Sequence, residues 1–134
     1  MNLPTYAVLI NEKAVIPPGG GPYFGVREHF FQSCLADRLG KVRLDEAWYL
    51  AAYPDVGEAI AAGAVPDAKN HFVMFGYYEH RMPFRMDVDE AWYLKVYPDV
   101  HQAVQRGHFA SAQEHFNRCG YREGRHPYAN FTLD

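Results

Sequence analysis

The chain has little cysteine, no run of basic charge and no long apolar segment. Two cysteines in 134 residues, Cys34 and Cys119, are too few for a disulfide framework and follow no CxxC spacing, so both read as reduced small hydrophobes. Thirteen Lys and Arg are outnumbered by sixteen Asp and Glu. Without a basic stripe there is nothing to neutralise a phosphate backbone, which excludes nucleic acid as a partner by charge. No apolar stretch approaches the roughly 20 residues of a spanning helix, so no membrane insertion is expected. The opening MNLPTYAVLINEK has no charged leader and its apolar part, residues 7–10, is short for a signal peptide, which makes a cytoplasmic location the expectation. GxSxG and HExxH are absent, and the glycines at 19–21 are followed by no Lys-Ser/Thr. The expectation is therefore a chain without catalytic residues, metal or cofactor.

What the chain does have is a duplication. Residues 45–88 and 89–132 align without a gap at a period of 44, with 20 identical positions. A period of this size marks a supersecondary unit that covers its neighbour's apolar face. The divisions read from it are 1–43, an N-terminal segment, 44–87, copy 1, and 88–134, copy 2, together one compact domain.

Comparing the copies separates what the unit requires from what it tolerates. Asp45 and Asp89 stand where a first helix needs an N-cap, and Pro54 and Pro98 end that helix while suiting the first turn of the next. Asp55 and Asp99 then fall at a second helix N-terminus, where the helix dipole accounts for them. Val56, Ala59, Ile60 and Gly63, matched by Val100, Ala103, Val104 and Gly107, form a buried stripe ending in a left-handed glycine cap. A third helix begins near Asp67 or Ser111, placing Ala68, Phe72 and Phe75 on one face, and ends at Gly76 or Gly120. The predicted fold is mostly α: a small bundle of two tandem repeats with about three short helices each.

The first 43 residues read differently. Residues 6–10 and 14–16 predict a β-hairpin around 11–13. A lone hairpin is marginal in water, so it must pack on the helices or pair with a second copy of the chain, giving a homo-oligomer. A Pro/Gly linker follows at 17–22. The segment VREHF at 26–30 parallels AKNHF at 68–72 and AQEHF at 112–116, which makes residues 25–40 the degenerate end of an earlier copy and a capping helix.

Three features invite chemistry. His29, His71 and His115 hold the same place in three similar helices, yet residues related by a repeat are displaced by a repeat and do not converge on one ion. Each borders an apolar stripe where a ring buries its body and satisfies its nitrogens locally. The pairs Glu79/Arg81 and Glu123/Arg125 sit two apart in a tight turn, the usual way to fasten a turn to neighbouring helix ends. The aromatic sets around Trp48 and Trp92 read as core before they read as a sugar-stacking platform.

The pattern WYL-x-x-YPDV-x-x-A-(I/V)-x-x-G, then A-x-x-HF, then G-Y-x-E-x-R-x-P, over residues 45–128, resembles a short bacterial repeat found with surface-polysaccharide glycosyltransferases and large calcium-binding surface proteins. The resemblance implies an accessory or interaction module and carries no catalytic residues. Copy 1 departs from the pattern with His80 where copy 2 has Gly124, a place that suits positive φ.

Shared residues thus find structural tasks, and functional weight moves to positions where the copies differ. The outer positions Ala51, Ala52, Ala61, Ala62, Ala64 and Val65 of copy 1 are more apolar than their counterparts, and exposed apolar patches seldom go unused. The leading expectation is a non-catalytic adaptor that binds another protein through these residues and the N-terminal segment. The alternative is a small-molecule or carbohydrate-binding module using Trp48, Tyr49, His71 and Arg81 with Trp92, Tyr93, His115 and Arg125.

Overall fold

The computed structural model describes residues 13–16 and 25–133. The chain divides between Gly40 and Lys41 into two compact units. In the first, strand β1 (Val15–Ile16) pairs antiparallel with β2 (Gly25–Val26), Val15 opposite Val26 and Ile16 opposite Gly25. The Arg27 N–H extends the pairing by donating to the Ala14 carbonyl at 2.8 Å. Of the anticipated hairpin, the arm at 6–10 and the linker at 17–22 lie outside the described residues. Helix α1 (Glu28–Lys41) follows, where the capping helix was expected. Its His29 is exposed, so the parallel with His71 and His115 stops at the sequence.

The second unit, Lys41–Asp134, holds the repeats. Copy 1 is α2 (Glu46–Ala52), α3 (Pro54–Ala61) and α4 (Ala68–His71), the last continuing as a π turn over Phe72–Gly76. Copy 2 repeats this as α5 (Glu90–Val96), α6 (Pro98–Gln105) and α7 (Ala112–His115) with a π turn over Phe116–Gly120. The described chain is mostly helical, with one short strand pair near its N-terminus.

The local chemistry follows the sequence closely. Asp45 and Asp89 cap their helices by accepting from the Trp48 and Trp92 N–H groups at 3.0 and 3.1 Å. Asp67 and Ser111 do the same for α4 and α7. Pro54 and Pro98 occupy the first turns of α3 and α6. Gly63 and Gly107 adopt φ of 73° and 76°, the left-handed caps that terminate those helices. Each copy then closes on itself: the Asp45 N–H donates to the Pro83 carbonyl and the Asp89 N–H to that of Pro127, both at 3.0 Å.

Two expectations need correction, those for Phe75 and Val65. Phe75 does not share the face of Ala68 and Phe72, being 43% exposed. The π turn is the reason: its i to i+5 bond, Tyr77 N–H to Phe72 carbonyl at 2.9 Å, adds a residue to the turn and brings Gly76 inward in place of Phe75. Gly76 and Gly120 end their helices without positive φ. They are small because the Tyr49 and Tyr93 hydroxyls occupy the space a Cβ would take. Val65 is not outward: it is buried at 5% exposure, beyond the turn at Gly63.

Candidate functional site

The residues shared by the copies build two internal fixtures. In the first, His71 lies buried on α4 with its Nδ1 hydrogen-bonded to Tyr49 Oη at 3.1 Å. His115 and Tyr93 repeat the pair at 3.0 Å, the donor in each depending on the imidazole tautomer. Tyr49 and Tyr93 are wholly buried and their rings meet Phe72 and Phe116 edge-on. Burial holds both phenols protonated, well above the usual tyrosine range, and pushes both imidazoles below theirs. Arg81 and Arg125 add to the downward push on the histidines, against Glu79 and Asp55 or Glu123 and Asp99.

The second fixture fastens the return turn. The Arg81 guanidinium donates to both carboxylate oxygens of Asp55 at 2.9 and 2.8 Å and, through Nε, to Glu79 at 2.7 Å. It also lies 5.0 Å from the centroid of the Tyr53 ring. The Tyr53 hydroxyl accepts from the Met82 N–H at 2.9 Å. Arg125, Asp99, Glu123 and Tyr97 reproduce the arrangement in copy 2. The expected fastening of the turn is present, with Asp55 and Asp99 as the anchors.

The candidate site lies between the copies. One cavity of about 450 Å³ is lined by Trp48, Ala52, Tyr53, Met82, Arg85, Met86, Gln113 and Asn117. A second, of about 510 Å³, shares Tyr53, Met82 and Asn117 with it and continues to Asp55, Glu79, His80, Arg81, Arg118, Tyr121 and Arg122. A third, also about 510 Å³, shares His80 and Tyr121 with the second and is lined by Tyr77, Tyr78 and Phe131 among others. Together they form a groove with an apolar end at Trp48, Ala52, Met82 and Met86 and a charged middle. In that middle Arg81 is neutralised by Asp55 and Glu79, and Arg118 pairs with Glu114 at 3.2 Å. Arg122 is exposed and makes no ion pair among the described residues. Tyr78 Oη, at the far end, is buried with no hydrogen-bond partner among the described residues. Burial pushes Tyr121 up to about 12, so its phenol stays protonated.

The residues expected at a site divide sharply. Trp48, Ala52, Arg81 and Arg125 line the groove. Ala51, Ala61, Ala62 and Ala64 are exposed but outside it, and Val65 is core. Tyr49 and Tyr93 are wholly buried and His71 and His115 nearly so, outside the groove. Trp92 is half-buried, packed on the copy 2 core, and Arg125 is committed to Asp99 and Glu123. Met82, Asn117, Arg118 and Arg122 were not anticipated. The signal for them was present, since each differs from its counterpart: His126, Val73, Met74 and Tyr78.

Among the described residues no helix is long and apolar enough to cross a membrane. Compared with family models, with curated proteins and with solved structures, the chain matches none.

Proposed function

We propose that the chain is a non-catalytic binding domain that holds an extended segment of another protein in the groove between its two copies. The observation that carries this reading is the joined pair of cavities of about 450 and 510 Å³, apolar at one end and with the Arg122 cation at the other. Nine of the fifteen residues that line them stand at positions where the copies differ. The segment that fits carries an apolar side chain for the Trp48, Met82 and Met86 end and a carboxylate for Arg122. Such an arrangement gives orientation from charge and affinity from buried apolar area. The His71, His115, Tyr49 and Tyr93 side chains, the most chemically loaded of the repeat, serve the interior, which fits binding better than turnover. The resemblance of the repeat to modules of bacterial surface-polysaccharide proteins supports a partner from an envelope-polysaccharide context.

The test compares two double variants for partner capture from source cells, read by mass spectrometry. A52E/R122E alters the groove and A61E/A62E the outer face of α3, all four at exposed positions. The groove variant is expected to lose the proteins that the unaltered chain captures, and the outer-face variant to keep them. Loss by the outer-face variant alone would return the interface to Ala61 and Ala62.

A further inference from the structure

Copy 2 carries a constellation that copy 1 lacks. His115, Cys119 and Glu123 each offer one ligand atom, and the three atoms lie within 4.8 Å of one another. They follow at intervals of four through the π turn and the turn after it. The imidazole is already oriented: Tyr93 engages Nδ1 at 3.0 Å, and Nε2 faces Glu123 Oε2 at 4.0 Å. A histidine fixed at one nitrogen and presenting the other is how metal-ligating rings are held. A nitrogen, a sulfur and a carboxylate oxygen suit a borderline divalent ion, whereas calcium and magnesium favour all-oxygen shells.

We propose that His115, Cys119 and Glu123 form a binding site for a zinc-class divalent ion, with solvent at the fourth position. Ligand atoms of a tetrahedral site lie about 3.5 Å apart when metal–ligand distances are about 2.0–2.3 Å, so the cluster must close slightly. Glu123 is the member that moves, since its side chain is 45% exposed. Its present partner, the Arg125 Nε–H at 2.7 Å, belongs to a guanidinium that keeps Asp99 at 2.6 Å. Binding converts the Cys119 thiol to a metal-bound thiolate and releases its proton to solvent. Thiolate and carboxylate together balance the two charges of the ion.

Copy 1 is the built-in control. His71, Tyr49, Glu79, Arg81 and Asp55 reproduce the framework, but Phe75 stands where copy 2 has Cys119, its ring 5.7 Å from that of His71. The copy 1 framework accepts phenylalanine at this place, which makes Cys119→Phe the substitution to test.

The experiment titrates the full chain with Co2+ as a spectroscopic stand-in, then with Zn2+. One equivalent per chain is expected, with a thiolate-to-cobalt charge-transfer band that one equivalent of Zn2+ removes. Cys119→Phe, its helicity checked by circular dichroism, should lose the band and bind at least about 10-fold more weakly. On the unaltered chain, Zn2+ should slow alkylation of Cys119 by iodoacetamide but not that of the exposed Cys34. This second readout decides the matter if the variant fails to fold. A missing band, a Cys119→Phe chain that binds as before, or equal Cys119 alkylation with and without Zn2+ overturns the proposal.

Discussion

Gly76 and Gly120 are held to glycine by space and not by φ. A methyl group at Gly76 would collide with the Tyr49 hydroxyl and lie 3.4 Å from Phe72 Cδ2. Gly76→Ala should therefore cost about 2–3 kcal/mol, the range of an overpacked core. Tyr49→Phe removes the obstructing oxygen but leaves His71 Nδ1 unpartnered, at about 1–2 kcal/mol. Because both changes act on the same oxygen, the double variant should lose clearly less than the sum in urea denaturation. Strict additivity would mean that the hydroxyl is not what excludes the methyl. Sequence comparison marked both glycines as helix ends and could not disclose the close approach that requires them. It did recognise the site at Gly124, whose φ is 73°; His80 keeps the same left-handed shape at 59°, so the copy 1 turn retains its form with a strained residue.

At the scale of elements, the return turn is fastened to the start of α3 by Arg81 and Asp55, with side chains 20% and 59% exposed. The Arg81 guanidinium holds the Asp55 carboxyl below its usual range, chiefly through their hydrogen bonds. The sign follows: the folded value lies below the unfolded one of about 3.9, so the pair stabilises the fold above that pH. The contribution is lost as pH falls through the folded value. Solvent screening limits it to at most about 1 kcal/mol. Asp55→Asn should be less stable than the unaltered chain at neutral pH, by an amount that shrinks in salt, and the two should converge in acid, where Asp55 is also neutral. Urea midpoints at pH 7 and in steps down to about pH 2 measure this; a gap that does not close as the pH falls would assign Asp55 a role other than its charge. The turn's Glu–Arg pair was legible because both residues recur two apart. Its anchor was not, because Asp55 lies 26 residues away and its helix-start position already explained it. The π turns were illegible for a related reason: no residue type announces a fifth residue in a turn, so ordinary helical spacing assigned Phe75 to the core.

For the repeat pair as a whole, the decisive packing is where one copy ends and the next begins. Met86, 3% exposed, lies before α5 and clusters with Tyr93, Val100, Ala112 and Phe116, while Met82 and Phe84 from the copy 1 return turn pack on the same core. Val42, 4% exposed, holds the place before α2 that Met86 holds before α5. Lys69 Nζ donates to the Val42 carbonyl, as Gln113 Nε2 does to that of Met86 at 2.9 Å. The duplication disclosed this arrangement in outline, since a repeat unit needs a neighbour to cover it. It could not disclose that the seam also leaves a groove, which depends on how Met82 and Met86 meet Asn117 and Gln113. Sharing of a core across the seam makes the copies one cooperative unit. Trp48 and Trp92 supply one reporter in each, and fluorine labelling of both indoles lets a single sample be followed through urea by NMR. The two resonances should lose intensity at the same midpoint. Met86→Ala should lower that midpoint for both together, at a cost of about 2–4 kcal/mol. A midpoint that falls for Trp92 while Trp48 stays put would mean that Met86 stabilises copy 2 alone and that the copies fold separately.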